Sequence, residues 1–294
     1  MFHTRKLAKT VLLGTVALST ALLAACGPNP NATLPGNAAN AKLTAIAVSE
    51  ISPDNAVSAN ISLGWDSLGS GVNAIKIFRR RAEQAATDVQ EITTLPANRT
   101  TLEDKDPSLA AGVDYVYNLR ADNANNVAVA KAQSQAIRII DAKAIPSFRL
   151  LAPAQDDAIL KDPTGEGHTF SWEDAGTGLY HVQVSDAAGI VRWGAITKKT
   201  SIAYGTRSGT EKQGTVTTQA DPKLMVPLAL TTKLVVSSVA PDTNRNEVQF
   251  QGIGNTGSFR IQVSAIETQP VKGDLNGARS IAIRKAKEVR FFAQ

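Results

Sequence analysis

The chain of 294 residues contains a single cysteine, Cys26, so no intramolecular disulfide can form. Beyond Cys26 there is no thiol at all, which excludes thiolate metal sites and cysteine nucleophiles from the rest of the protein. Of the three histidines, His3 lies at the extreme N-terminus, leaving His168 and His181 for any acid–base or metal chemistry. Aromatic residues make up 5% of the chain, and a protein with so few large side chains uses them in its cores. No Gly-x-Ser-x-Gly, His-Glu-x-x-His or phosphate-cradling glycine loop occurs. These shortages point away from catalysis: no catalytic residue, metal site or cofactor is expected. The fold has to be held by apolar burial alone.

What is present begins with an asymmetric first segment. Arg5, Lys6 and Lys9 stand without an acidic neighbour, and Val11–Leu23 is a thirteen-residue apolar run. This layout is that of a secretory signal, since a membrane-spanning helix needs roughly 20 apolar residues. The closing tetrapeptide Leu23-Ala24-Ala25-Cys26 resembles the lipobox of bacterial lipoproteins. That resemblance implies cleavage after residue 25 and a diacylglyceryl lipid on the sulfur of Cys26. It also implies residence in a bacterial cell envelope, at the outer membrane or cell surface, because Gly27 rather than an acidic retention residue follows the cysteine. Setting the three basic residues of 1–25 aside leaves 28 Lys and Arg against 26 Asp and Glu, a formal net charge of +2 instead of +5. A nucleic-acid partner is therefore not expected.

Residues 26–41 follow as a tether. Gly27–Ala41 holds three prolines, two glycines and four asparagines around one large apolar residue, Leu34, and cannot bury enough surface to order itself. As a flexible chain it spans roughly 20 Å on average.

Between residues 42 and 141 the apolar pattern has period 2, broken by turn residues such as Ser67-Leu-Gly-Ser-Gly71. Ile61, Leu63 and Trp65 alternate; so do Ile75 and Ile77, and Val113, Tyr115, Tyr117, Leu119 and Ala121 form the longest alternation. About seven short strands in about 100 residues predict a β-sandwich. The series Ile61–Asp66, Ile75–Arg80 and Leu109–Ala121 resembles a fibronectin type III domain. The resemblance implies that Trp65 is core, that Leu109 precedes a corner-forming Tyr115 by six residues, and that Tyr117, Leu119 and Ala121 point inward. It implies a scaffold, not a chemistry.

A second unit, 145–294, is expected to be an Ig-like β-sandwich with hairpin insertions. Phe170-Ser-Trp172 and Leu179–Val184 resemble the B and C strands of bacterial surface modules, with Trp172 in the core. Leu234, Val236, Ser238 and Ala240 have the spacing of a counterpart to Tyr115–Ala121, with Leu234 replacing the corner tyrosine. Arg207–Asp221 reads as an insertion. Val248 and Phe250 are expected to oppose Phe259, Ile261 and Val263 across a turn at Gly252–Gly257. Asp141–Ile145 reads as a short polar linker, predicting two separately folding units with a small junction.

Four features are candidates for function. Trp193, beside Arg192, is a candidate stacking residue for a sugar ring, burial against Phe170 or Trp172 being the alternative that aromatic scarcity favours. His181 alternates with Tyr180 and Val182 and is expected to face solvent. Arg79-Arg80-Arg81 and the Arg284/Lys285/Lys287/Arg290 group read as solvated strand ends. Asp242-Thr-Asn244-Arg-Asn246 and Asp274-Leu-Asn276-Gly277 start like calcium loops but lack later ligands, and read as Asx turns. The whole predicts an all-β, lipid-anchored envelope protein that is noncatalytic: a binding or spacer module for another envelope protein or a surface polymer. The alternative is a carbohydrate-binding lipoprotein presenting glycans to a separate enzyme.

Overall fold

The structure, a computed structural model, describes residues 39–159, 168–204, 238–239, 257–275 and 277–294. The lipobox with Cys26, the tether through residue 38, the Arg207–Asp221 insertion, Leu234 and Val236, the 242–246 loop, and Val248 and Phe250 lie outside them. Among the described residues the fold is all-β, with one 3₁₀ turn at Ala142–Ala144.

The first unit runs through β1 (Ala39–Asn40), β2 (Leu43–Ile51), β3 (Val57–Trp65), β4 (Ala74–Arg81), β5 (Gln90–Pro96), β6 (Thr101–Asp104), β7 (Asp114–Asp122), β8 (Ala128–Gln133) and β9 (Ile137–Arg138). Strands β2-β3-β6 make one sheet of a sandwich and β8-β7-β4-β5 the other, with β1 added in parallel to β8 and β9 antiparallel to β7. This is the strand arrangement of a fibronectin type III sandwich. Its core is built from alternate residues, as period 2 requires: Ile61, Leu63 and Trp65 of β3, Ile75 and Ile77 of β4, and Tyr115, Tyr117, Leu119 and Ala121 of β7. The Trp65 indole N–H donates to the carbonyl of Arg99 at 2.9 Å, so its one polar atom is satisfied at the core's edge.

The second unit contains β10 (Leu150–Ala152), β11 (Asp157–Ile159), β12 (His168–Trp172), β13 (Tyr180–Asp186), β14 (Val191–Thr197), β15 (Ser201–Tyr204), β16 (Ser238–Val239), β17 (Gly257–Gln269), β18 (Ser280–Lys285) and β19 (Val289–Ala293). Strands β10-β12-β15 form one sheet. The other is centred on β17, which lies between β13 on one side and β18 and β19, end to end, on the other. The strand occupying the place of β7 is therefore β17, with the inward series Phe259, Ile261, Val263 and Ala265. This corrects the expectation of a counterpart at Leu234–Ala240, since Ser238 pairs in parallel with Ala195 on the far side of β14. It also replaces the expected hairpin partner of Phe259, Ile261 and Val263 by β13 and β19. Aromatic rings knit this core: Phe291 lies 5.7 Å from Phe170 and 5.8 Å from Phe259, and Trp172 lies 5.5 Å from Tyr180.

The junction differs from the small polar linker expected. Strand β18 of the second unit pairs in parallel with β2 of the first, from Ser280↔Ala47 to Arg284↔Ile51, so one sheet runs through both units. Ile51, Ala142 and Ile145 are buried in the second unit's core. On the opposite face Val48 joins Ile281, Ile283, Ile266 and Leu275 in a separate apolar cluster. The linker's small and apolar side chains thus serve as core, which their mixed composition concealed.

Two stability outcomes follow. Trp65→Ala empties a large core volume and is expected to cost about 3–5 kcal/mol. Ile51→Ala is expected to cost about 2–5 kcal/mol and to lower amide protection in β12–β14 as well as in β3–β7, read by hydrogen exchange. Protection lost in the first unit alone would show that the sheet does not couple the two.

Candidate functional site

Arg79 continues the parity of Ile75 and Ile77 on β4 and so points into the first sandwich, where it is 6% exposed. An unpaired guanidinium there would be costly, and it is fully engaged. Its Nη1 donates to Asp104 Oδ2 at 2.8 Å, and its Nη2 donates to Asp106 Oδ2 at 3.0 Å and Ser108 Oγ at 3.1 Å. The Tyr117 hydroxyl donates to the same Asp104 oxygen at 2.8 Å. Asp104 Oδ1 accepts the Asp106 N–H at 3.0 Å, and Asp106 Oδ1 accepts the Ser108 N–H at 2.8 Å. The expectation that Arg79 is a solvated strand end is corrected: the acidic pair on the departing end of β6 draws it inward.

The corner tyrosine completes this arrangement. Tyr115 Oη accepts the Ala110 N–H at 2.9 Å and donates to the Ser108 carbonyl at 3.3 Å, while the Arg79 guanidinium lies 5.8 Å from its ring centroid. The 104–110 stretch is thereby bound from beneath at four residues. Electrostatics follow the geometry. Burial and the Asp104 carboxylate push the Tyr117 hydroxyl far above its ordinary range, so it stays a neutral donor. The Ser108 N–H, the Ser108 hydroxyl and then Arg79 hold the Asp106 carboxyl down at about 2. Burial works against the charged Arg79, but Asp104 and Asp106 outweigh it and raise its pKa.

Beside this bound stretch runs a groove of about 420 Å³, with Val57, Ala59 and Asn60 of β3 on one side and Asp106, Leu109 and Ile139 on the other. Asn60 is 4% exposed; its Nδ2 donates to Glu103 Oε1, while its Oδ1 is buried and accepts no hydrogen bond. A smaller hollow of about 270 Å³ separates the edges of β5 and β6.

The residues singled out from sequence fall as follows. Trp65, Tyr115, Leu119 and Trp172 are buried core side chains. Trp193 is 1% exposed, in one apolar cluster with Phe170 and Trp172, so the indole offers no stacking face. His181 is 2% exposed rather than solvent-facing. It lies on the outer face of its sheet opposite Ile196 and Ser264, and that face carries the second apolar cluster instead of water. Of the C-terminal basic group, Lys285 pairs with Glu50 at 2.7 Å, Arg284 donates to the Ile145 carbonyl at 3.0 Å, and Arg290 meets Asp156 at 2.5 Å. The first two reach across the junction, correcting their reading as free strand ends. The groove and the Arg79 network had one legible signal, the unbroken parity Ile75, Ile77, Arg79.

No family model and no curated protein matches the chain. Among solved structures it overlaps the chicken CNTN1 FN1–FN3 domains at 9% identity, covering 88% of this chain and 69% of that one, with a TM-score of 0.40. It overlaps a tetra-tandem repeat from the extending region of a large adhesion protein at 12% identity, covering 86% and 49%, with a TM-score of 0.22. The overlap with pectate lyase Pel3 from Pectobacterium carotovorum has 17% identity and a TM-score of 0.24, and covers 40% of this chain. The chain spans about a third of the length of the pectate lyases it matches. At these TM-scores the strand pairing above carries the fold assignment by itself.

The network sets two measurable outcomes. Arg79→Met leaves Asp104 buried without its cation and is expected to cost about 3–5 kcal/mol in urea unfolding. The Asp106 carboxyl is held below its ordinary value in the folded chain, so its contribution to stability is present above the unfolded pKa and lost as pH falls through about 2. Carboxyl NMR should show that low midpoint, moving upward in Arg79→Met.

Proposed function

We propose that the chain is a lipid-anchored protein of the bacterial cell envelope whose joined sandwiches form a noncatalytic binding or spacer module for another envelope protein. One observation carries the binding part of this reading: the side chains best suited to chemistry are consumed by the fold, while a sheet edge beside a groove is left open. Arg79, Asp104 and Tyr117 satisfy one another, and His181 and Trp193 are buried. The anchoring part rests on the Leu23-Ala24-Ala25-Cys26 motif behind its basic and apolar segments. On this reading Cys26 carries the lipid, the tether that precedes β1 holds the folded part off the membrane surface (its expected last residues, 39–41, being taken up by pairing with β8), and the location is the outer membrane or cell surface. No cofactor or nucleic acid is involved. An exposed indole at position 193 would favour the glycan-presenting alternative, and that side chain lies in the core.

Two experiments test the proposal. Cys26→Ser is expected to abolish lipidation, leaving the chain uncleaved or released from membranes on fractionation, because stable anchoring requires multiple acyl chains. Normal processing and membrane retention of that variant would defeat the anchor. Cross-linking in intact cells followed by mass spectrometry is expected to recover a protein partner. Adducts to glycan without any protein would restore the alternative.

A further inference from the structure

Strand β3 is longer than the partner on its outer side. It pairs with β2 along its whole length, from Leu43↔Trp65 to Ile51↔Val57, but with β6 only from Gly64↔Thr101 to Ile61↔Asp104. The Trp65 N–H donates to the Thr100 carbonyl at 2.9 Å, so Trp65 directs its backbone groups toward the β6 side. Successive residues of a strand direct theirs to alternate sides, so Leu63, Ile61, Ala59 and Val57 do likewise. The ladder stops at Asp104 for a local reason: the Asp106 N–H is taken by Asp104 Oδ1, and Pro107 has no N–H. Ala59 and Val57 are left presenting an N–H and a C=O each to the groove, with no backbone partner on that side among the described residues.

Open edges invite strand addition, and this fold blunts another of them. The edge strand β5 carries Glu91 and Pro96 and faces a register irregularity between Ile77 and Phe78. Residues 57–60 have no proline, no charge and no bulge, and Val57 is 46% exposed. The buried Asn60 Oδ1, which has no donor among the described residues, stands at the same groove.

We infer that the groove beside Val57–Asn60 receives an extended peptide segment of a protein partner as an added strand, antiparallel to β3 in the course β6 abandons. The segment's backbone would pair with Val57 and Ala59. Small or β-branched side chains would fit against Leu109 and Ile139. The groove's polar end carries Glu103 and Asp106, each paired within the fold, Glu103 with Lys105 at 2.8 Å and Asp106 with Arg79 at 3.0 Å, so it sets no charge requirement on the segment and recognition falls to the backbone.

This deepens the binding-module reading and rests on it. The test uses the ¹⁵N-labelled 26–294 chain with Cys26→Ser and the probe peptide acetyl-Thr-Val-Ala-Val-Lys-amide. The expected result is saturable shifts at Val57, Ala59 and the Asn60 side-chain amide, with exchange of the Val57 and Ala59 amides slowed about tenfold. Ala59→Pro removes an N–H that the fold itself leaves unpaired; it is expected to keep the unfolding midpoint and lose the peptide response. If that variant fails to fold, the same peptide N-methylated at alternate amides supplies the equivalent loss against the unaltered chain. Absence of shifts at millimolar peptide, shifts mapping elsewhere, or undiminished binding by the N-methylated peptide would overturn the inference. A protein partner cross-linked in cells at a surface other than 57–60 would remove the groove while leaving the binding-module reading standing.

Discussion

One strand, β2, joins the strands of both units into a single sheet and serves two cores, and the architecture depends on it. Its residues Leu43 and Ala47 pack into the first unit, and the same face, two periods of the pleat further on, places Ile51 in the second. The opposite face contributes Val48 to the cluster formed with Ile281 and Ile283. Each large aliphatic side chain so buried contributes about 1.5–3 kcal/mol. The Glu50–Lys285 pair, partly exposed, adds about 0–1 kcal/mol and fixes register more than strength. The Ser49 hydroxyl, donating to the Ile140 carbonyl at 2.6 Å, ties the strand to the connection between units. Without β2, the first sandwich loses an outer strand and β18 becomes an exposed edge.

The buried ionic network does a different job. Replacing such a group by well-packed apolar side chains is often neutral or stabilising, so its presence is weak evidence for stability as such. Its geometric effect is definite. By capturing Asp104 and Asp106, Arg79 turns the chain away from β3 just where the ladder would continue. The corner tyrosine pins the departing stretch at Ser108 and Ala110. The same contacts that end β6 create the groove and the open edge alongside it.

The two sandwiches were legible in sequence because their signal is local: period-2 runs such as Tyr115–Ala121 and Phe170–Trp172 report burial without knowledge of partners. The junction was not legible, because parallel pairing of residues 280–284 with 47–51 joins segments more than 200 positions apart, and neither carries a mark of its partner. His181 was misplaced for a related reason. Alternation identifies two faces of a strand but assigns the polar one to water, and here both faces of the sheet are covered. For Arg79 charge points to solvent and parity to the core, and parity prevails because the acids that receive it stand at matching alternate positions, 104 and 106. The open edge could not be read at all, since it depends on where β6 stops.

The placement of that edge has a physical consequence for the whole chain. The free groups of Val57 and Ala59 are on β3, β3 pairs with β2, and β2 pairs with β18. A segment bound there stabilises the folded state by mass action, in proportion to its occupancy. Because β2 is common to both units, that stabilisation is not confined to the sandwich that makes the contact. Binding at the first unit and cohesion of the second draw on the same strand, and so a partner attached at the groove is held by both.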